Sequence, residues 1–144
     1  MIKTYEDLHT WLDKFPAGRH ISNQLKKLIE PGKELGYIPF DESFNSDPLN
    51  ISFILIDTQK FIDVTFTIND AKYDESNFRF SIRKNQDLVK KDIAYSQLNN
   101  YSHTFKDLDI KLAFKDGYEI SLSSKQFKEA PSNFIDFVNS LLNL

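Results

Sequence analysis

The chain of 144 residues is 40% hydrophobic and 14% aromatic, enough apolar mass for one domain with a real core. Its 18 basic and 21 acidic side chains leave a net charge of −3, without the basic excess by which duplex binders neutralise phosphates, so no nucleic-acid partner is expected. With no cysteine, disulfides, thiolate nucleophiles and thiolate metal sites are excluded.

The opening stretch MIKTYEDLHTWL carries Glu6 and Asp7 and has no apolar h-region. No run approaches the ~18 apolar residues of a membrane span. The expectation is a soluble, cytoplasmic protein without a membrane partner. Tyr5, Leu8, Leu12 and Phe15 fall at helical spacing behind Thr4 as N-cap, and Pro16-Ala17-Gly18 is read as the stop. A second helix is expected from about Arg19 to Glu30, with Ile21, Leu25, Leu28 and Ile29 on one face and Pro31-Gly32 behind it. Residues 1–32 thus read as a helical extension. From Lys33 to Asn50, Gly36, Pro39 and Pro48 interrupt any regular pattern, and the apolar content marks an ordered connector.

Beyond Asn50 the period changes to two. ISFILIDT is apolar on both faces, as in a strand covered on both sides. Ile62, Val64, Phe66 and Ile68 alternate with polar residues, and the short DTQK between these segments predicts a hairpin. NFRFSIRK gives a third strand, with Phe78, Phe80 and Ile82 inward and Arg79, Ser81 and Arg83 outward. Residues 87–105 fit neither period cleanly and are read as two short strands bent at Ser96 to Asn100. Leu108, Ile110, Leu112 and Phe114 alternate up to Asp116-Gly117, and Tyr118, Ile120 and Leu122 resume beyond it, so a type I′ hairpin is expected there. APSNFIDFVNSLLNL closes the chain as an amphipathic helix with Phe134, Phe137, Val138, Leu141 and Leu142 in one stripe.

About seven short antiparallel strands followed by one helix, with DIAYSQLNNYSH, LDIKLAFKDGYEISLSS and FIDFVNSLL as local text, resemble bacterial pleckstrin-homology-like (PH-like) domains over residues 50–144. The resemblance implies a bent antiparallel sheet or partly open barrel closed by the C-terminal helix; the N-terminal helical pair lies outside it, and the two together give an α+β fold within a single domain of residues 1–144. Phosphoinositide-binding relatives carry a basic cluster at their first hairpin. Here that hairpin offers Lys60 beside Asp57 and Asp63, so lipid binding is not carried over.

Little in the chain points to catalysis. His9 reads as a flank residue of the first helix, and His103 as an outward strand position; neither these nor His20 sits in a metal-ligand spacing. The glycines form no phosphate-cradling loop, so no cofactor is expected. Asp41, Glu42, Asp74 and Glu75 read as solvated turn residues that also give an acidic surface. Trp11, Tyr37, Phe40 and Phe44 either seal the helical pair onto the sheet or form an aromatic anchor patch. The expectation is a non-enzymatic bacterial or phage protein that binds another protein through an open strand edge or these eight residues, as an inhibitor or immunity-type factor masking its partner. The alternative is a small-ligand binder or enzyme using the barrel mouth with Arg19, His20 or His103.

Overall fold

A computed structural model describes residues 2–43, 48–69 and 72–144. Helix α1 spans Tyr5–Leu12, and the Thr4 hydroxyl caps it by accepting the Asp7 N–H at 3.0 Å. Helix α2 spans Pro16–Leu28, which corrects the expected boundary: Pro16 opens the second helix, since its missing N–H costs nothing in a first turn. Gly18 is needed for contact, because a Cβ there would collide with the Leu12 carbonyl oxygen, where α1 ends against α2. Arg19 and His20 therefore lie inside the helix, where the Arg19 N–H donates to the Phe15 carbonyl.

Strands β1 (Gly36–Ser43), β2 (Leu49–Ile56), β3 (Lys60–Ile68) and β4 (Asn77–Lys84) form one antiparallel sheet in that order. The expected connector is thus in large part strand β1. Its proline is tolerated because β1 is an edge strand and its register with β2 shifts between Pro39 and Asp41, a bulge that skips Phe40. Strand β2 is buried on both faces, as its unbroken apolar text required.

Strands β5 (Leu88–Leu98), β6 (Phe105–Phe114) and β7 (Glu119–Ser123) make a second antiparallel sheet. The two short strands expected in 87–105 are one long strand. Leu88, Ile93 and Tyr95 do not alternate cleanly because a bulge lies between Leu88 and Lys90 and Gln97 has φ +58°. The β6–β7 turn is also corrected. Only Gly117 takes positive φ (+90°), and Phe114 and Tyr118 are bonded across Lys115, Asp116 and Gly117, a three-residue loop in place of the two-residue I′ turn.

Helix α3, Pro131–Leu142, completes an α+β arrangement of three α-helices and two antiparallel sheets among the described residues. Among the described residues no ladder joins the sheets, so neither closes into a barrel. Two apolar cores lie on opposite faces of the first sheet. On one, Tyr5, Leu8, Leu12, Ile21 and Leu25 of the helical pair cover Phe53, Leu55, Val64 and Phe66. On the other, Ile38, Ile54, Ile56 and Phe61 meet Leu108, Ile110, Leu112 and Phe114 of the second sheet and Phe134, Phe137, Val138 and Leu141 of α3. Leu142, assigned to that stripe from the sequence, is half-exposed at the last position of α3. Lys91 Nζ donates to the carbonyls of Leu141 and Leu144, placing a cation at the negative end of the helix.

Candidate functional site

The structure disperses the residues that the sequence singled out. Trp11 packs against the helix-side core, edge-to-face with Phe15 at 5.0 Å. Tyr37 is buried between Tyr5 and Phe53, its hydroxyl donating to the Ile2 carbonyl at 3.4 Å, and burial holds its pKa well above the usual phenol value. These two seal the helical pair onto the sheet. Phe40 is exposed at the β1 bulge, and Phe44 lies outside the described residues. Asp41 is exposed on β1, while Glu42 accepts the Ile2 N–H at 3.2 Å and burial raises its carboxyl pKa. Asp74 and Glu75 sit in a 3₁₀ turn before β4, where Glu75 engages Lys72 at 3.6 Å and Asn69 at 3.1 Å. The two acidic pairs lie toward one end of the sheet but at its opposite edges, with three strand spacings between β1 and β4.

A different surface stands out. Strand β7 pairs only with Asp109–Ala113, so beyond that point β5 and β6 run on as a two-stranded arm. Its tip is fixed by Asn99, whose Oδ1 accepts the N–H groups of Tyr101 (2.8 Å) and Ser102 (3.1 Å). His103 adopts φ +57° there and donates its N–H to the Asn99 carbonyl, which corrects its expected place in a strand. Tyr101 is 96% exposed, and Tyr95, Leu98 and Phe105 are half-exposed along the arm. The rings of Tyr95 and Phe105 lie 5.7 Å apart and open onto a groove against α3 lined by Leu108, Phe134, Ile135 and Val138. Sequence reasoning missed this arm because the left-handed turn at Gln97 hides the alternation. Asn99-Asn100 flanked by aromatic residues was the available signal.

Strand β4 also departs from expectation. Phe80 and Ile82 are 40% and 48% exposed although they share a face with buried Val64 and Ile62, because the helical pair does not extend over the sheet edge. Arg83, expected outward, is instead packed. Its guanidinium lies 3.0 Å from Asp63 and 3.1 Å from Asp116, and stacks 3.6 Å over the Tyr118 ring. Burial, then the nearby Asp63 carboxylate, pushes the Tyr118 hydroxyl up to about 12. Asp116, which also accepts the Tyr118 N–H, is held below the usual carboxylate range by that bond and by Arg83. This group clasps the edge of the first sheet to the β6–β7 hairpin of the second.

His9 is a further correction. It is 4% exposed, with Nδ1 2.7 Å from the Ser22 hydroxyl and its ring edge-on to Tyr5 at 4.5 Å, while Nε2 is buried without a hydrogen-bond partner. Both groups are enclosed between α1 and α2, so the pair has no face on which to meet a substrate. Of the residues assigned to a barrel-mouth site, His20 lines a hollow with Ala17, Thr67, Ser76 and Phe78, Arg19 is exposed on the same helix, and His103 lies on the arm. They do not converge. Among the described residues no three His, Asp or Glu side chains gather to hold a metal ion, and no helix is long and apolar enough to cross a membrane.

Fold and surface together define an α+β protein in which, among the described residues, the most exposed large apolar side chain sits at the tip of a hairpin. Comparison with protein-family models, curated proteins and solved structures finds no match to this chain.

Proposed function

We propose that this chain is a non-enzymatic protein-binding module that masks its partner, in the manner of an inhibitor or immunity-type factor, through the β5–β6 arm. The observation that carries this is Tyr101, 96% exposed on a tip pre-shaped by Asn99, with Tyr95, Leu98 and Phe105 half-exposed behind it. Aromatic anchors dominate the energetics of protein interfaces, and a tip already held in shape loses little entropy on docking. Ile135 extends the apolar surface onto α3, so arm and helix offer one contiguous contact. The succession of four strands, three strands and a helix supports a PH-like reading of the scaffold. That reading assigns no ligand by itself.

The test is photocrosslinking in host cells with a benzophenone amino acid at position 101, and at position 74 as the control. The expected result is one discrete protein adduct from position 101 and none from position 74. Tyr101→Ser combined with Phe105→Ser should weaken binding of the purified partner at least tenfold without changing the melting temperature. No adduct at 101, or equal adducts at both positions, would remove the arm from the interface.

A further inference from the structure

The two sheets present four strand edges, and three are blunted. Strand β1 is broken by Pro39 and its bulge, and α3 packs against it at Gly36. Strand β5 carries a bulge between Leu88 and Lys90, a left-handed Gln97, and Lys91 tied to the carbonyls at the end of α3. Strand β7 has five residues. Strand β4 has none of these guards: its eight residues hold one unbroken register with β3, from Lys60↔Lys84 to Thr67↔Asn77. Alternate N–H and C=O groups of β4 therefore point away from the sheet, ready to pair with another strand.

Side chains on the two faces of this edge specify what it accepts. Phe78, Phe80 and Ile82 form an apolar row, with the rings of Phe78 and Phe80 5.4 Å apart, continuing the buried row of Phe66, Val64 and Ile62. The other face carries Arg79, Ser81 and Arg83. Arg83 is satisfied by Asp63 and Asp116, whereas Arg79 is exposed and meets no carboxylate among the described residues. Lys84 ends the apolar row directly opposite Lys60, two like charges whose local acid, Asp57, lies on the Lys60 side.

We propose that the β4 edge is a second docking site, which takes an extended partner segment as a fifth strand, with apolar residues on one face and carboxylates on the other. The apolar row covers Phe78, Phe80 and Ile82, and on the other face a carboxylate meets Arg79. This is strand addition, in which backbone hydrogen bonds hold the segment and alternate side chains select it. Charge decides against a second copy of this chain as the occupant. Laid antiparallel with Phe80 opposite Phe80, a second β4 sets Arg79 opposite Ser81 and brings no acid to either guanidinium. The site is separate from the arm, so either can fail without the other.

The probe is a fluorescently labelled, end-capped octapeptide alternating glutamate and valine. The controls are a lysine–valine peptide of the same pattern and a glutamate–valine peptide with its acids in one block. The full-length protein should bind the alternating acidic peptide at least tenfold more tightly than either control, and binding should slow hydrogen exchange of amides 77–84. Arg79→Glu should cost at least tenfold and turn the preference toward the lysine peptide. Phe80→Thr should weaken binding without changing the charge preference. Both positions are exposed, so melting curves of the variants should overlay the parent. Equal binding of the three peptides, protection outside β4, or no saturable binding at millimolar peptide would overturn the proposal. So would a dimer in sedimentation that Phe80→Thr dissolves, because the occupant would then be a second copy.

Discussion

At His9, acid creates a problem that neutral pH does not. An imidazolium there would be enclosed between two helices with Lys26 nearby, and burial, then that lysine, lower the pKa from 6.5 to about 4. The unfolded chain takes up this proton as pH falls through 6.5, whereas the folded chain resists until about 4. Stability is therefore unaffected by this group above pH 6.5 and declines between 6.5 and 4, by on the order of 3 kcal/mol in full. Urea midpoints measured across that window should fall steeply for the parent and more gently for His9→Gln; parallel curves would show that other groups drive the acid loss. Arg83 works differently, since its removal leaves Asp63 partly buried without its cation and uncovers the Tyr118 ring. Arg83→Ala should cost about 2 kcal/mol in chemical denaturation, and Arg83→Lys should recover only part, because an ammonium cannot stack and bridge as the planar guanidinium does.

Among the elements, the α1–α2 junction depends on a missing side chain. Gly18→Ala drives a methyl into the Leu12 carbonyl, so the helices must part, and a loss of about 1–3 kcal/mol is expected despite alanine's better helix propensity. A gain in melting temperature would show that α1 yields freely. The junction also shows how far local sequence could be read. Proline after Phe15 was a sound boundary signal, but proline serves equally to stop one helix and to start the next. The alternation of β3, β4 and β6 named which residues share a face, and the doubly apolar text of β2 foretold cover on both sides. What alternation cannot carry is whether anything lies over that face. Phe80 and Val64 read alike in sequence, and only the width of the helical pair separates an exposed ring from a buried side chain. The arm was only partly legible for a related reason: Asn99-Asn100 signalled a turn, but a bulge and left-handed residues at 97 and 103 reset the phase of the strands around it, and alternation does not mark that reset.

Across the whole molecule, α3 is the piece that unites the parts. Phe137, 1% exposed, sits in the core shared by both sheets and close against Gly36. Phe137→Ala should destabilise by about 3–5 kcal/mol, read as a lower urea midpoint with the slope unchanged. A shift below about 1 kcal/mol would mean the shared core closes over the gap. The helix also supplies the most sequence-distant bonds, Asn133 Nδ2 donating to the Lys3 carbonyl and Ser140 Oγ to the Leu35 carbonyl. Every strand pair, by contrast, joins consecutive strands. The order of assembly follows. Nearest-neighbour hairpins close fast, and the helical pair meets its sheet using residues up to Lys84, whereas Ile38, Ile54, Ile56 and Phe61 stay uncovered until the second sheet and α3 arrive. The single tryptophan, Trp11, reports on the early core alone. In refolding its fluorescence should reach the native value while the amides of α3 still exchange, so the nascent chain passes through a stage with one finished core and one sticky, unfinished face.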